Sequence, residues 1–236
     1  MRLARYGFPQ VGVALAASLA GLAAGTALAL SHSPWWWALA AVSGLACLFV
    51  LWFFRDPARA IPQEDGLLVS PADGVVTHID EEDEPAFIGG RAKRLSIFLS
   101  VFDAHLNRAP CAGTVSHMAY HPGKFADARD DASHAGNERQ DLGLDTGDPR
   151  CPKVLVRQIA GFIARRIVCP RTLGERLERG QTYGMIKFGS RTTLCLPADA
   201  AAAWVVGVGD RVKAGETVLA RLGEGGSLAE SAQEGS

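Results

Sequence analysis

The chain is organised around Tyr183-Gly184-Met185-Ile186-Lys187-Phe188-Gly189-Ser190-Arg191, near its C-terminal end. A short apolar run there ends at a Gly-Ser bond. Glycine accepts a positive φ without steric cost, and a serine directly after it is able to place its hydroxyl against the preceding carbonyl. That arrangement permits an N→O acyl shift and cleavage of the chain at its own backbone. An ordinary Gly-Ser turn between two strands is the alternative interpretation.

Bulk properties narrow the class of protein. The 236 residues fit one or two domains with a sizeable core. The net charge is −1 and the sequence has no long basic block, so nucleic acid is not an indicated partner. The five cysteines include no Cys-x-x-Cys pair, which predicts buried free thiols in a reducing compartment rather than a disulfide framework or a zinc site. The histidines share no metal-ligand spacing, so no metal is predicted.

Two uncharged apolar runs stand near the N-terminus, at residues 11–30 and 35–54. Each is about as long as a helix that crosses a bilayer, and the short link between them has a turn composition. The flanking arginines are Arg2, Arg5, Arg55 and Arg59. By the positive-inside rule they place both ends of the hairpin in the cytoplasm. We predict a membrane-anchoring hairpin over residues 1–54, with a signal peptide and a buried helical pair of a soluble domain as the alternatives.

The pattern changes beyond residue 62 to short β-type runs separated by Gly, Pro and Asp, which predicts a mainly β domain. The run 95–101 is typical of a buried strand, and the loop that follows it is a place where a rigid scaffold often holds chemistry. Residues 209–219 look like the turn and last strand of a lipoyl/biotinyl-like β-sandwich. The acidic stretch 81–84 is predicted to be a solvated loop and residues 141–151 to be irregular. The predicted α+β organisation has three parts: hairpin 1–54, mainly β domain 55–222 and disordered tail 223–236.

Five stretches in register together resemble one family. They are Phe53-Phe54-Arg55-Asp56-Pro57, Ser70-Pro71-Ala72-Asp73-Gly74, Phe98-Leu99-Ser100-Val101-Phe102-Asp103-Ala104-His105 through Pro110, His121-Pro122-Gly123-Lys124-Phe125 with Asn137-Glu138-Arg139, and Gln158-Ile159-Ala160-Gly161 running on to Phe188-Gly189-Ser190-Arg191. In order and spacing they cover nearly the whole chain from residue 53 to residue 219. On these residues the chain resembles the phosphatidylserine decarboxylase family, in its short bacterial and archaeal form.

The resemblance implies a proenzyme that cuts itself between Gly189 and Ser190. The serine hydroxyl attacks the glycine carbonyl to give an ester, and elimination leaves dehydroalanine, which hydrolyses to a pyruvoyl group with release of ammonia. The products are a β chain, 1–189, and an α chain, 190–236, held as a heterodimer. The pyruvoyl ketone forms a Schiff base with the serine headgroup of phosphatidylserine and accepts electrons as carbon dioxide leaves, because no standard side chain offers such an electron sink. The product is phosphatidylethanolamine.

Roles carry over from the resemblance residue by residue. Ser190 becomes the cofactor. His105 is the general base or acid, since histidine titrates near neutral pH, and Asp73 orients that histidine. The alternatives are an ordinary Asp-Gly turn residue for Asp73 and a hydrogen-bonded residue at a strand end for His105. The candidates for binding the substrate carboxylate or lipid phosphate are Arg191, Lys124 and Arg108, for each of which an ordinary surface position is the alternative.

The sequence departs from the family pattern at two positions. Longer members have a second histidine three residues beyond the first, where this chain has Arg108. His105 is therefore the candidate for both self-cleavage and decarboxylation. The short form commonly has an aspartate two residues after its Ser-Arg pair, where this chain has Thr193.

Three other functions remain as alternatives. A decarboxylase of archaetidylserine-type ether lipids has identical headgroup chemistry. A membrane-anchored lipoyl-like adaptor without chemistry fits residues 205–219, although no carrier lysine stands at a hairpin tip. A serine hydrolase would use Ser190 and His105, but Phe188 and Thr192 occupy the glycine positions of the Gly-x-Ser-x-Gly pattern. The leading prediction is a phosphatidylserine decarboxylase at the cytoplasmic face of the cell membrane, with higher oligomers left open.

Overall fold

The computed structural model describes residues 2–4, 6, 8–123, 136–161, 167–186 and 189–223. The chain divides into two compact units, Met1–Pro57 and Ala58–Ser236. The predicted tail lies outside the described residues except for Gly223.

The first unit is a pair of apolar helices. Its elements are β1 (Arg2–Leu3), α1 (Phe8–Ser31), a 3-10 turn (Pro34–Trp36), α2 (Trp37–Phe53) and β2 (Arg55–Asp56). Small residues let the helices approach closely, because a Cβ added at Gly25 would lie 2.6 Å from the backbone nitrogen of Ala40. The predicted two-helix apolar segment is therefore confirmed. Both helices are long and apolar enough to cross a bilayer, which by itself is weak evidence for membrane association because signal sequences and core helices share these properties.

The second unit is mainly β, as predicted. Its strands are β3 (Leu67–Val69), β4 (Gly74–Glu84), β5 (Gly90–Leu99), β6 (Leu106–Arg108), β7 (Gly113–His121), β8 (Arg139–Asp145), β9 (Lys153–Ile159), β10 (Ile167–Val168), β11 (Arg176–Leu177), β12 (Thr182–Ile186), β13 (Ser190–Pro197), β14 (Ala202–Trp204), β15 (Arg211–Val212) and β16 (Val218–Leu222). An eight-stranded sheet has the order β11-β7-β8-β9-β13-β5-β4-β15, and the two three-stranded sheets have the orders β10-β12-β6 and β14-β16-β3. Neighbouring strands in the described residues are antiparallel.

Strand β13 is the most buried element of the large sheet. It lies between β5 and β9, and every one of its residues is buried. Leu194 and Leu196 join Leu95, Ile97 and Leu99 in the main core, as alternation along neighbouring strands requires. The Gly-Ser bond singled out by the sequence thus stands where the chain enters the centre of the sheet.

One local prediction is wrong and another is wrong in part, and buried ion pairs explain both. The acidic stretch 81–84 belongs to β4 instead of a solvated loop. Of the stretch 141–151 that was predicted to be irregular, residues 141–145 belong to β8, while residues 146–151 lie outside the strands as predicted. Arg157 on β9 donates from Nη1 to Glu82 Oε1 at 2.8 Å and from Nε to Asp141 Oδ1 at 2.9 Å. Acidic residues are able to occupy these strands because a buried guanidinium on the same sheet neutralises them.

Replacing Arg157 by methionine is expected to lower the free energy of unfolding by about 3 kcal/mol, since Asp141, with a side chain only 2% exposed, would lose its nearest charged partner and keep only Arg139 at 4.0 Å and His121 at 3.6 Å. Urea unfolding of the detergent-solubilised chain measures this. The matched control is Arg91→Met, because Arg91 lies 3.0 Å from Glu81 with both side chains about half exposed. That change should stay within about 0.5 kcal/mol. Equal losses in the two variants would contradict the explanation.

Candidate active site

Ser190 begins β13 and is completely buried. Its Oγ has no hydrogen-bond partner among the described residues. The preceding Gly189 has φ +55°, and a Cβ added there would meet nothing within 4 Å. The glycine is therefore required for its backbone conformation and not for lack of space. A buried hydroxyl directly after a left-handed glycine is compatible with an acyl shift onto the glycine carbonyl.

His105 lies on the segment that faces the Gly-Ser bond. Ser190 pairs with Leu99 at the end of β5, and the Ile186 amide donates to the His105 carbonyl at 3.1 Å. Ile186 and Ser190 are thus paired with His105 and Leu99, the two ends of the segment 99–105. Lys187 and Phe188 lie outside the described residues. The His105 side chain is fully buried, so the structure brings the predicted base and the predicted nucleophile to facing segments.

Asp73 occupies the turn between β3 and β4 and forms a buried ion pair. Arg59 Nη2 lies 2.7 Å from Asp73 Oδ1 and 2.5 Å from Oδ2, and the amide of Ala214 donates to Oδ1 at 2.7 Å. Within the described part of the chain the partners of Asp73 are therefore Arg59 and Ala214. In the sequence analysis Arg59 served only as one of the positive charges that orient the membrane hairpin. The next residue, Gly74, must be a glycine, because the Cβ of any other residue would lie 2.1 Å from the Phe98 carbonyl oxygen.

Asp103 shapes the turn that leads from β5 to His105. Its Oδ2 accepts hydrogen bonds from the Ser100 amide at 2.8 Å and the Ser100 hydroxyl at 2.7 Å, and the Arg211 guanidinium lies 3.8 Å from Oδ1. Asp103 is mostly buried, whereas Phe102 at the tip of the turn is 72% exposed. The sequence predicted no role for Asp103. An aspartate three residues after a serine at a strand end is the signal that indicates such a turn.

A buried amide network links the two sheets beside Ser190. Asn107 Nδ2 donates to Thr192 Oγ1 at 3.0 Å, and Gln158 Nε2 donates to Asn107 Oδ1 at 2.7 Å. All three residues are completely buried. Sequence reasoning missed this network, since its members are far apart in the chain.

The three predicted anion-binding residues have different surroundings. Arg191 is completely buried, and alternation along β13 directs its side chain to the sheet face opposite that of Ser190. Arg108 Nη1 donates to the Gly180 carbonyl at 2.9 Å. Lys124 lies outside the described residues. At the second position that departs from the family pattern, Thr193 Oγ1 lies 3.3 Å from Ser96 Oγ, and both residues are buried.

Core thiols are held neutral. The cysteines of the chain are free, and three of them, Cys111, Cys151 and Cys195, are buried. Burial raises the pKa of Cys111 and of Cys151 to about 12, and burial also raises the pKa of Tyr183 well above its ordinary value. Thiolate chemistry is therefore disfavoured here. Among the described residues, no three His, Cys, Asp or Glu side chains form a group able to hold a metal ion.

Comparison with known proteins gives one consistent result. A family model described as phosphatidylserine decarboxylase matches residues 47–220. The chain is 51% identical over 220 residues to the phosphatidylserine decarboxylase proenzyme of Symbiobacterium thermophilum, covering 93% of this chain and 95% of that protein. It is 44% identical over 221 residues to the proenzyme of the same name from Rhodopirellula baltica, covering 94% and 91%. The proenzyme of Chlorobium phaeovibrioides is 40% identical over 219 residues.

Proposed function

The chain belongs to the phosphatidylserine decarboxylase family, and on that premise we propose that it is a self-processing enzyme that converts phosphatidylserine to phosphatidylethanolamine. One observation supports this most directly. Ser190 is a buried serine whose Oγ has no hydrogen-bond partner among the described residues, and it follows a glycine at positive φ opposite the segment that carries His105. An ordinary turn serine would face solvent or bond to the backbone.

Self-cleavage uses groups of the chain alone. Ser190 Oγ attacks the Gly189 carbonyl carbon, the Gly189–Ser190 amide bond breaks, and its nitrogen becomes the amine of Ser190 while an ester joins the two residues. Loss of the Ser190 α-proton expels the carboxylate of Gly189 and leaves dehydroalanine. Uptake of water and release of ammonia give a pyruvoyl end at position 190. We propose His105 as the group that accepts these protons, because histidine is the side chain best suited to do so near neutral pH.

The residues present fit the proposed prosthetic group. The Ser190 Oγ, which leaves with the Gly189 carboxylate, is buried and makes no hydrogen bond within the described residues, so its departure breaks no described contact. The ketone would form at the Ser190 Cα, with oxygen from water in place of the nitrogen. A carbonyl conjugated in this way supplies the electron sink that loss of carbon dioxide from an amino acid requires. His105, which like Ser190 is fully buried, would then move protons at the reacting carbon.

The sheet topology supports a stable pair of cleaved chains. Strand β13 would belong to the α chain, 190–236, yet it pairs along its whole length with β5 and through Arg191–Cys195 with β9, both in the β chain. Likewise β15 pairs with β4 and β16 with β3. Cleavage therefore leaves the α chain held by sheet hydrogen bonds on several edges, and we propose a heterodimer of the two chains.

We also propose that the second unit works at the cytoplasmic face of the cell membrane and that its β16 region is a lipoyl-like sandwich element. The proposed domain limits are 1–54 for the hairpin, 55–222 for the mainly β domain and 223–236 for the tail. Asp73 would orient His105, and its contacts with Arg59 and the Ala214 amide would hold the Asp73 turn in place. Arg108, whose Nη1 donates to the Gly180 carbonyl, would serve the substrate phosphate through its guanidinium. Arg191 and Lys124 remain candidates for the same task.

Intact mass measurement of the purified protein, followed by a lipid assay, tests this function. We expect two fragments divided between Gly189 and Ser190, the smaller one lighter by one ammonia than a chain that begins with intact serine and resistant to Edman degradation. Vesicles containing phosphatidylserine should release carbon dioxide and gain phosphatidylethanolamine. A single full-length chain, with no turnover of the lipid, would reject the proposal and favour an adaptor.

A further inference from the structure

The amide network beside Ser190 connects the two strands that carry the reacting groups. Thr192 and Gln158 are directly opposite each other on β13 and β9, and Asn107 reaches them from β6, which belongs to a different sheet. Asn107 thus donates from its amide nitrogen to Thr192 at 3.0 Å and to the Pro71 carbonyl at 3.4 Å, and accepts from Gln158 on its amide oxygen. The network is a buried polar bridge between two sheets.

Each end of this bridge lies two residues after one of the proposed reacting residues. Asn107 stands two residues after His105, and Thr192 stands two residues after Ser190. Side chains at positions i and i+2 of extended backbone share a face, and the pairing of β6 with β12 continues to the His105 carbonyl. The hydrogen bond between Asn107 and Thr192 therefore shows that the face carrying His105 is turned toward the face carrying Ser190.

A structural role alone explains the bridge poorly. Buried amides lose their hydration, so a core made of apolar side chains of similar volume would be at least as stable. Gln158 lies on a strand with Val154, Leu155, Val156 and Ile159, where an apolar residue would fit the pattern. A bridge that gains little stability but fixes one strand against another is suited to controlling geometry.

We propose that Asn107, held by Gln158, is a positioning residue for self-cleavage. Its bond to Thr192 fixes the first residues of β13 against β6, so that Ser190 Oγ stays within reach of both the Gly189 carbonyl and His105. The inference rests on the proposed function and adds to it a residue that acts through Thr192. A misplacement of about 1 Å is enough to slow a reaction between fixed groups by about 100-fold.

The test follows cleavage of newly made full-length chain over time by cell-free translation and gel electrophoresis. Thr192→Val keeps the shape of the side chain but removes the acceptor, and we expect cleavage to slow by about 100-fold. Thr192→Ser keeps the acceptor and should cleave within about 3-fold of the wild type. The matched control is Thr193→Val, which removes a buried hydroxyl contact on the opposite face of the same strand and should also stay within about 3-fold. Thermal unfolding of each variant accompanies the kinetics.

Each outcome is decisive. Wild-type cleavage by Thr192→Val, or equal slowing by Thr193→Val, overturns the inference. If Thr192→Val does not fold, Asn107→Leu removes the same bond from the other side, and cleavage of that folded variant at the wild-type rate also overturns it. If the wild type itself is not cleaved, the proposed function fails, which is a result distinct from failure of the positioning role.

Discussion

Replacing Ser190 by alanine is expected to leave the protein as one uncleaved chain with no decarboxylase activity. Without Oγ there is no nucleophile for the Gly189 carbonyl, and therefore no source of the proposed pyruvoyl end. Folding should be unaffected, because the Ser190 hydroxyl has no hydrogen-bond partner among the described residues and alanine retains the Cβ that packs in β13. Removing a buried polar atom of this kind is neutral or slightly stabilising. Intact mass, lipid turnover and thermal unfolding measure the three effects.

The combination of lost cleavage and unchanged stability separates a reacting serine from a structural one. Ser96→Ala is the matched control, because Ser96 is equally buried on the adjacent strand β5 and its Oγ lies 3.3 Å from Thr193 Oγ1. This variant should lose some stability and still be cleaved. Cleavage of Ser190→Ala at the same bond would disprove the role assigned to the hydroxyl.

How far the sequence predicts the site depends on the range of the interactions involved. Local patterns suffice for the buried strand predicted at 95–101, which is seen as the end of β5 beside β13, and they allow the positive φ of Gly189, because periodicity and glycine's conformational freedom are properties of a few neighbouring residues. They also suffice for the two apolar helices. Pairings between distant residues have no local signal. Asn107 and Thr192 are 85 positions apart, and their contact exists only once two sheets have packed.

The buried charged residues are also difficult to predict from the sequence, because their partners come from distant strands. Acidic residues at 81–84 are typical of a solvated loop when they are judged without their partners. In the structure the partners come from other strands, and Arg157 accepts burial because it meets Glu82 and Asp141 together. The pair of Asp73 with Arg59 is a related case, since the resemblance gave Asp73 a role beside His105 but no sign of Arg59 as a partner. Burial of charge is decided by strand register, which a single sequence does not specify.

Replacing His105 by asparagine is expected to slow self-cleavage by at least about 100-fold, the range that a general acid or base contributes. The fold should persist, because the His105 group that pairs with Ile186 is the backbone carbonyl and not the imidazole. Newly translated chain, followed over time, measures cleavage. The matched control is His78→Asn on β4, a partly buried histidine whose Nδ1 lies 3.0 Å from Thr77 Oγ1; this variant should mature normally.

A histidine placed at position 108 tests whether that position could take over self-cleavage from His105. Longer members of the family have a second histidine at this position, but here the Arg108 side chain is directed to the Gly180 carbonyl at 2.9 Å, on a turn that is not part of the Ser190 segment. The double variant His105→Asn/Arg108→His should therefore not be cleaved, because the new imidazole at position 108 would be directed toward Gly180, as the Arg108 side chain is, and not toward Ser190. Restored cleavage would show that position 108 reaches the scissile bond. Normal maturation of His105→Asn with lost decarboxylation would instead confine His105 to the second step, leaving removal of the Ser190 α-proton to another group.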